Sequence, residues 1–194
     1  MKEMTRNLLT AFCFAALGTM GMAQVNVGGT PFALLMGMDR SELPTYEAAP
    51  LDMKSVARMD EQRAQEGKLP FYGRLLPVGK GLSNAGQWMT LPNGDRVWRA
   101  RFDSPGALAN ELFFTDFHLP ENALLYVYDD TGDQVLGGFT SYNNSVGNTF
   151  TTAQIMGSSC IVEYYEPHAV QGLGTFEVSH IGHAYRFVGA AKAQ

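Results

Sequence analysis

The sequence predicts an all-β protein: a β-sandwich of jelly-roll type with an extended N-terminal leader and one short helix. Short apolar, β-branched and aromatic runs recur after Gly67 with turn residues between them, and no helical pattern follows that position. The 21 glycines and 9 prolines among 194 residues fit a chain with many turns. A chain of this length that is 45% hydrophobic can bury the core of one domain.

Residues 1–23 have the pattern of a secretory signal peptide. Lys2 and Arg6 lie on either side of an acidic residue and precede the apolar run Leu8–Met20, which is too short to span a bilayer comfortably. Small residues up to Ala23 make that residue the candidate processing point. A buried N-terminal helix is the alternative. We expect the mature chain to be secreted, extracellular or periplasmic, and free of the membrane once the signal is removed.

Residues 24–85 are predicted to be an extended leader that contains the helix. Glycine and proline interrupt its first part, where Phe32–Met36 is the candidate for one edge strand. The helix is predicted at about residues 51–66, because Asp52 can cap its start and Gly67 can end it.

The apolar stripe of this helix is short. Met53 and Val56 lie on one face, and so few apolar residues do not hold an isolated helix together in water. We therefore expect the helix to lie on a partner, and Met53 and Val56 are its candidate partner contacts.

The β-sandwich domain is predicted over residues 86–188. Its first hairpin pairs the strand Gln87–Leu91 with the strand Arg96–Phe102. Between them, Asn93 and Gly94 accept the positive φ angles of a tight turn. This hairpin should set the register of the first sheet.

The two faces of the returning strand differ in character. With a period of two, Trp98, Ala100 and Phe102 point to one side and form a core face. Arg99 and Arg101 share the opposite side. They are candidate contacts for an acidic or extended partner; the alternative, which we favour, is ordinary pairing with Asp or Glu on neighbouring strands.

Apolar runs predict six further strands. The first of them is apolar on both sides, with Phe114 on one and Phe117 on the other, unless a bulge shifts the phase. The six are Leu108–Phe117, Leu124–Tyr128, Gln134–Phe139, Thr149–Ala153, Ser159–Tyr165 and Thr175–Tyr185.

Charge and cysteine usage exclude some classes of function. The formal net charge of -5 and the pI near 5.3 argue against a nucleic-acid-binding protein. Cys160 is the only cysteine after residue 23, and its apolar, β-branched neighbours predict a buried strand thiol rather than a nucleophile.

No metal, cofactor or catalytic site is predicted. The acidic residues around Gly132 lack the ligand spacing of an EF-hand and suit a hairpin turn. His180 and His183 are three residues apart in a strand and so point to opposite faces. No serine has the sequence context of a nucleophile, and no glycine-rich phosphate loop is present. We expect that this chain is not itself an enzyme.

A series of short pieces carries a family likeness through their order and spacing. They are Trp88, Leu91–Arg99, Ser104–Ala107, Phe117–Glu121, Tyr126–Tyr128, Val135–Gly137, Phe139–Thr140, Glu163–Pro167 and His183–Arg186. Together they resemble the N-terminal region of secreted, lysyl-endopeptidase-like serine peptidases of the trypsin type. The likeness extends roughly from Leu51 to Phe187.

The resemblance implies a function in proteolysis without catalysis. In that family a signal peptide and a β-rich region precede a trypsin-fold catalytic domain, which would begin where this chain stops, so no catalytic residue is carried over. The chain is then expected to be a pro-region or accessory domain of a serine peptidase precursor. It would assist folding of the cognate peptidase domain, expected in cis, or keep it latent. Lys192, in a loose tail at 189–194, is a candidate processing point.

The alternative is a free-standing secreted module that binds or adheres to a glycan or a protein. A glycan site requires exposed aromatic side chains, and the candidates are Trp88, Tyr142 and Tyr72. Exposure of two or more of them on one face would favour this alternative.

Overall fold

The computed structural model describes residues 25–187, which form two β-sheets packed face to face with two α-helices beside them. The prediction of an all-β, sandwich-like fold is confirmed. Its elements are α1 (Phe32–Leu35), β1 (Thr45–Glu47), α2 (Met53–Gln65), β2 (Gly73–Gly81), β3 (Gln87–Thr90), β4 (Arg96–Asp103), β5 (Ala109–His118), β6 (Leu124–Tyr128), β7 (Val135–Phe139), β8 (Phe150–Thr151), β9 (Ile155–Met156), β10 (Ser159–Glu166) and β11 (Thr175–Ala184), with 3₁₀ turns at Ser141–Asn143 and His168–Val170.

The chain crosses repeatedly from one sheet to the other. The first sheet has the order β1-β4-β10-β6-β7, and β3 also pairs with β4. The second sheet has the order β2-β11-β5-β8, and β9 also pairs with β5. The strand pairs of residues 25–187 are antiparallel except for β1 with β4. The second sheet begins at Gly73, so it takes in a strand from the range predicted as leader.

Aromatic side chains fill the space between the sheets. Trp98, Ala100 and Phe102 are fully buried there, which confirms the predicted core face of β4. Trp98 meets Phe176 from the second sheet edge to face, with ring centroids 5.3 Å apart. Tyr164 meets the same ring at 5.6 Å. The two sheets are thus joined by interlocking rings.

The predicted hairpin between β3 and β4 is confirmed, although of the two turn residues Gly94 alone, and not Asn93, has a positive φ. The Leu91 N–H donates to the Asp95 carbonyl oxygen at 2.8 Å, and Gly94 takes the required positive φ of 88°. The resulting register places Trp88 opposite Trp98.

The bulge that the prediction for β5 left open is present after Thr115, so the strictly alternating phase fails there. Strict alternation puts Phe117 on the side opposite Phe114, but both rings lie in the core. The reason is a bulge at Asp116, whose φ is 50° and where the pairing with β11 slips. One extra residue returns Phe117 to the core side.

The predicted edge strand at Phe32–Met36 is wrong, because α1 occupies Phe32–Leu35. Pro31 accepts the first helical hydrogen bonds, and the Ala33 N–H donates to the Glu163 carboxylate from β10. The acceptor that satisfies this helix start is 130 residues away in sequence. A local pattern therefore does not reveal it.

The residues 25–48 form a segment that we call the N-terminal strap. It lies over the outer face of the first sheet and ends in β1 and Ala48, whose N–H donates to the Asp103 carbonyl oxygen at 2.8 Å. Near its start, the Val27 N–H donates to the Gly138 carbonyl oxygen of β7 at 3.0 Å. The strap thus reaches both edges of that sheet.

The predicted helix and both of its ends are confirmed in α2. The Asp52 side chain accepts from the Lys54 and Ser55 N–H groups at 3.0 and 3.2 Å. At the other end Gly67 has a φ of 68°, and the Lys68 N–H returns to the Arg63 carbonyl oxygen at 2.8 Å. Local sequence chemistry thus fixes both boundaries.

Some of the predicted segments lie outside the described residues. They are the signal peptide at 1–23 with Ala23, and the tail at 189–194 with Lys192. Among the helices within residues 25–187, none combines the length and apolar character that crossing a bilayer requires.

Close packing at Gly86 gives a test of the core. A Cβ at this residue would overlap the Trp98 indole, and its φ of 68° disfavours any side chain. We expect Gly86→Ala to lower the free energy of unfolding by roughly 1–3 kcal/mol more than Gly106→Ala does. Gly106 is the matched control, since its φ is 82° and a Cβ added there would meet nothing within 4 Å. Equal losses in urea unfolding would contradict this packing.

Candidate functional site

The two arginines predicted as a basic stripe lie beneath the N-terminal strap. Arg99 is 5% exposed and donates to the Asp39 carbonyl oxygen at 3.1 Å. Arg101 donates to the Arg40 carbonyl oxygen at 2.9 Å and forms an ion pair with Asp130. With the strap in place, Arg99 has almost no surface to offer an external partner.

Glu163 lies directly opposite Arg99 in the register and is 0% exposed. Its carboxylate accepts from the Ala33 N–H at 3.2 Å and from the Tyr128 hydroxyl at 3.1 Å. Burial raises the pKa of this carboxyl, while the hydrogen bonds and the Arg99 charge act in the opposite direction. This carboxylate therefore fastens α1 to the first sheet.

A small apolar cluster surrounds this polar group. Leu43 from the strap packs with Tyr126, Tyr128 and Ile161 from the sheet. Leu34 of α1 covers the same cluster. The strap therefore has its own core, separate from the core between the sheets.

The other two predicted contact residues lie on α2, beside the second sheet. Val56 is buried, whereas Met53 is about half exposed. Asp60 forms an ion pair with Arg186 at 2.9 Å, and this pair ties the helix to the segment after β11. Val56 is thus used within the chain, and Met53 is available to a partner.

An exposed apolar surface adjoins this helix, and we call it the α2 surface. The Arg63 and Arg74 guanidinium groups lie over the Phe71 ring, 3.9 and 4.5 Å from its centroid. The members of the surface are Met59, Leu69, Phe71 and Leu75, and all four are exposed. A shallow cleft of about 230 Å³ between Phe71, Leu75, Phe113 and Gly182 continues it across the second sheet.

A larger cleft, which we call the Trp88 groove, opens at the end of the sandwich. Its volume is about 560 Å³. The first sheet contributes the side chains of Trp88, Arg96 and Glu166. The second sheet lines the cleft with Asp116 of β5 and with the Phe176–Glu177 part of β11. It is larger than the cleft beside Phe71 and than two clefts of about 240 and 400 Å³ lined by Tyr165 and Tyr142, respectively.

The three aromatic residues predicted for a glycan site are exposed but not brought together. Trp88 is 36% exposed and Tyr142 is 85% exposed, and Tyr72 is between them. They line three separate clefts that share no residue. A continuous aromatic platform is therefore not formed by these three side chains.

Ser104, just after β4, and His183, near the end of β11, form a buried pair. The Ser104 hydroxyl and the His183 Nδ1 are 2.8 Å apart, and both residues are buried. Asn110, opposite His183 in β5, is also buried, and its side-chain amide has no hydrogen-bond partner. A hydroxyl without access to solvent does not reach a substrate, so this pair is structural.

Several further side chains are used within the fold. The Cys160 thiol is free and fully buried, as predicted. The Asp129 carboxylate accepts from the Gly132 N–H at 2.7 Å and so closes its own hairpin turn. Among the described residues, no three His, Cys, Asp or Glu side chains are grouped to hold a metal ion.

Sequence reasoning missed Glu163 and, apart from Trp88, the residues of the Trp88 groove. Glu163 is an acidic residue among apolar neighbours in its strand, and such a residue usually has a partner when it is buried. The register that places Arg99 opposite Glu163 identifies a nearby positive charge. The groove has no such signal, because its residues come from separate parts of the chain. No protein-family model matches the chain.

The contact between Arg99 and the strap predicts a loss of stability. We expect Arg99→Met to lower the free energy of unfolding by roughly 2–4 kcal/mol, because it removes the bond to the strap and leaves Glu163 buried without a cation. Arg58→Met, on the exposed side of α2, is the control. Limited proteolysis should cut the strap faster in Arg99→Met alone, and equal cutting rates would contradict the strap's dependence on Arg99.

Burial of His183 predicts a dependence of stability on pH. Burial lowers the pKa of His183 from its ordinary 6.5, because the charged form is disfavoured. Below about pH 6.5 the unfolded chain therefore binds more protons than the folded chain, and stability falls as the pH falls. His183→Gln should flatten the curve by up to about 1.4 kcal/mol per pH unit. Parallel curves from chemical unfolding would refute the assignment.

Proposed function

We propose that this chain is a non-catalytic pro-region or N-terminal accessory domain of a secreted serine endopeptidase. It docks on the peptidase domain, assists its folding or keeps it latent, and uses the α2 surface as the contact. The exposed apolar α2 surface is the observation that carries the proposal, together with the sequence resemblance. Apolar patches of this kind on a folded domain are typical of sites where another protein binds.

The two outer faces of the sandwich support this choice of contact. The outer face of the first sheet is occupied by the N-terminal strap, which closes it with Leu43 and the Glu163 carboxylate. The outer face of the second sheet keeps Leu75 exposed and has no side chain at Gly182. A partner thus finds apolar area on the second sheet without having to displace a packed segment.

The contacts of α2 support the same location. Few apolar residues hold the helix in place: Val56 is the one buried residue among its positions, and Met53 and Met59 stay exposed. Methionine side chains adapt their shape to a partner. A docked peptidase domain would bury Met59 together with Leu69 and stabilise the helix.

The same proposal includes the jelly-roll type of sandwich. Two four-stranded sheets with the orders β2-β11-β5-β8 and β4-β10-β6-β7 support it, because a jelly roll interleaves its strands between two sheets in this way. In that scheme β1, β3 and β9 are additions at the edges.

Expression of the cognate peptidase with and without residues 24–194 tests the function. We expect their removal to lower the yield of folded peptidase or to release its activity early. Supplying residues 24–194 as a separate chain should restore the yield or the latency. Unchanged yield, folding and latency after removal would overturn the proposal.

Single substitutions test the contact. Leu69 is 83% exposed, so Leu69→Ser should leave the free energy of unfolding within about 0.5 kcal/mol of its original value. We expect it to weaken binding to the peptidase domain by about tenfold in calorimetry, because an apolar anchor is lost. Val146→Ser is the matched control, since Val146 is also highly exposed but lies in the loop before β8. Equal affinities of both variants would place the contact elsewhere.

A further inference from the structure

We propose that the Trp88 groove binds a neutral carbohydrate chain, a function separate from docking on a peptidase. The groove lies at the mouth between the sheets, away from the N-terminal strap. Trp88 faces the interior side of the first sheet, because it lies opposite the buried Trp98. About a third of its surface is nevertheless exposed, and this surface lines the groove.

The polar floor of the groove is built and rigid. Glu166 is almost fully buried and accepts from the Arg96 Nε at 3.0 Å and from Arg96 Nη2. Its other oxygen accepts from the Gly172 N–H at 3.0 Å and from the Tyr164 hydroxyl at 3.3 Å. Both Glu166 oxygens therefore already accept hydrogen bonds from the protein, and the role of the carboxylate is to position Arg96.

Arg96 is held in the groove by two contacts. Glu166 grips two of its nitrogens, and the guanidinium carbon lies 4.3 Å from the centroid of the Trp88 ring. A guanidinium group carries five N–H donors, and the bonds to Glu166 engage those on Nε and Nη2. The donors on Nη1 are thus presented in a fixed position next to an aromatic surface.

An acceptor lies across the groove from these donors. Asp116 is exposed at the β5 bulge and lines the groove from the second sheet. Arg96 lies on the first sheet. A ligand between the sheets would therefore meet donors on one side and an acceptor on the other.

This combination fits a sugar better than a charged ligand. Each sugar hydroxyl both donates and accepts, so it can bond to Arg96 and to the Asp116 carboxylate. The ring carbons of a pyranose can meanwhile cover the exposed part of Trp88. An anion would be repelled by Asp116. A cation would lie beside the Arg96 guanidinium.

Titration of the chain without residues 1–23 with cellohexaose, chitohexaose and laminarihexaose tests the inference. Binding is followed by the NMR signals of the two tryptophan indole N–H groups, which Trp88→Phe assigns. We expect saturable shifts of the Trp88 signal with at least one oligosaccharide. The Trp98 indole donates to the Ala85 carbonyl oxygen at 2.9 Å and should shift less. Absence of saturable binding by all three at millimolar concentration would overturn the proposal.

Substitution locates the site. We expect Trp88→Ala to weaken the binding by about tenfold or more. Tyr142→Ala is the control, since Tyr142 is the most exposed of the aromatic candidates and lines another cleft. Unchanged affinity of Trp88→Ala would refute the site. Thermal unfolding of each variant shows whether the fold is kept.

Asp116→Asn distinguishes a neutral sugar from a basic peptide as the ligand. This test remains valid even if Trp88→Ala does not fold. Asparagine tolerates the φ of 50° at this position and keeps the shape of the side chain. For a sugar, we expect a loss of about threefold that is insensitive to salt, because the amide oxygen still accepts. Trilysine is the competing probe. If trilysine binds in a salt-sensitive way and no oligosaccharide binds, the ligand of the groove is a basic peptide and the carbohydrate proposal is overturned.

Discussion

The ladder between β4 and β10 is the constraint on which the rest of the structure depends. Its pairs run without a break from Asp103 with Ser159 to Arg96 with Glu166. Residues that face each other across a ladder lie on the same side of the sheet. This single register therefore determines which pairs face the core, the strap and the groove. Trp98 and Tyr164 enter the core, Arg99 and Glu163 hold the strap, and Arg96 and Glu166 form the groove floor. A slip by one residue would exchange the apolar and the charged side, which makes the register strongly specified.

The two sides of the molecule are consequently unequal. The first sheet is covered on its outer face, so a strand such as β10 is buried almost throughout. It tolerates the buried Glu163 carboxylate because the strap supplies a hydrogen-bond donor. Among residues 25–187, α2 is the element that lies beside the second sheet, where cation–π contacts and one ion pair hold the helix. The covered side behaves as part of the core, and the open side is suited to a transient partner.

Period-two alternation and turn chemistry predict most of the fold but little of the candidate sites. The core face of β4, the β3–β4 hairpin and both ends of α2 follow from local residues, since each depends on neighbours within a few positions. The burial of Arg99 and the start of α1 depend on Glu163, which lies far along the chain and becomes a neighbour only after folding. The bulge at Asp116 follows from the pairing with β11, and the groove requires both sheets. Tertiary partners therefore determine what local patterns do not.

Cys160 lies near one end of the ladder between β4 and β10, opposite Phe102, with its sulfur 3.8 Å from the Phe102 carbonyl oxygen. Burial raises the pKa of the thiol far above its usual range, so the reactive thiolate is almost absent while the strands are paired. A thiol-reactive reagent gains access only when the ladder opens. The rate at which such a reagent modifies Cys160 therefore reports how often β4 and β10 separate. This rate can be measured in a mixture without purifying the protein. If the chain folds in an oxidising compartment, Cys160 can exchange disulfides only until folding is complete, because the folded strands then shield its sulfur.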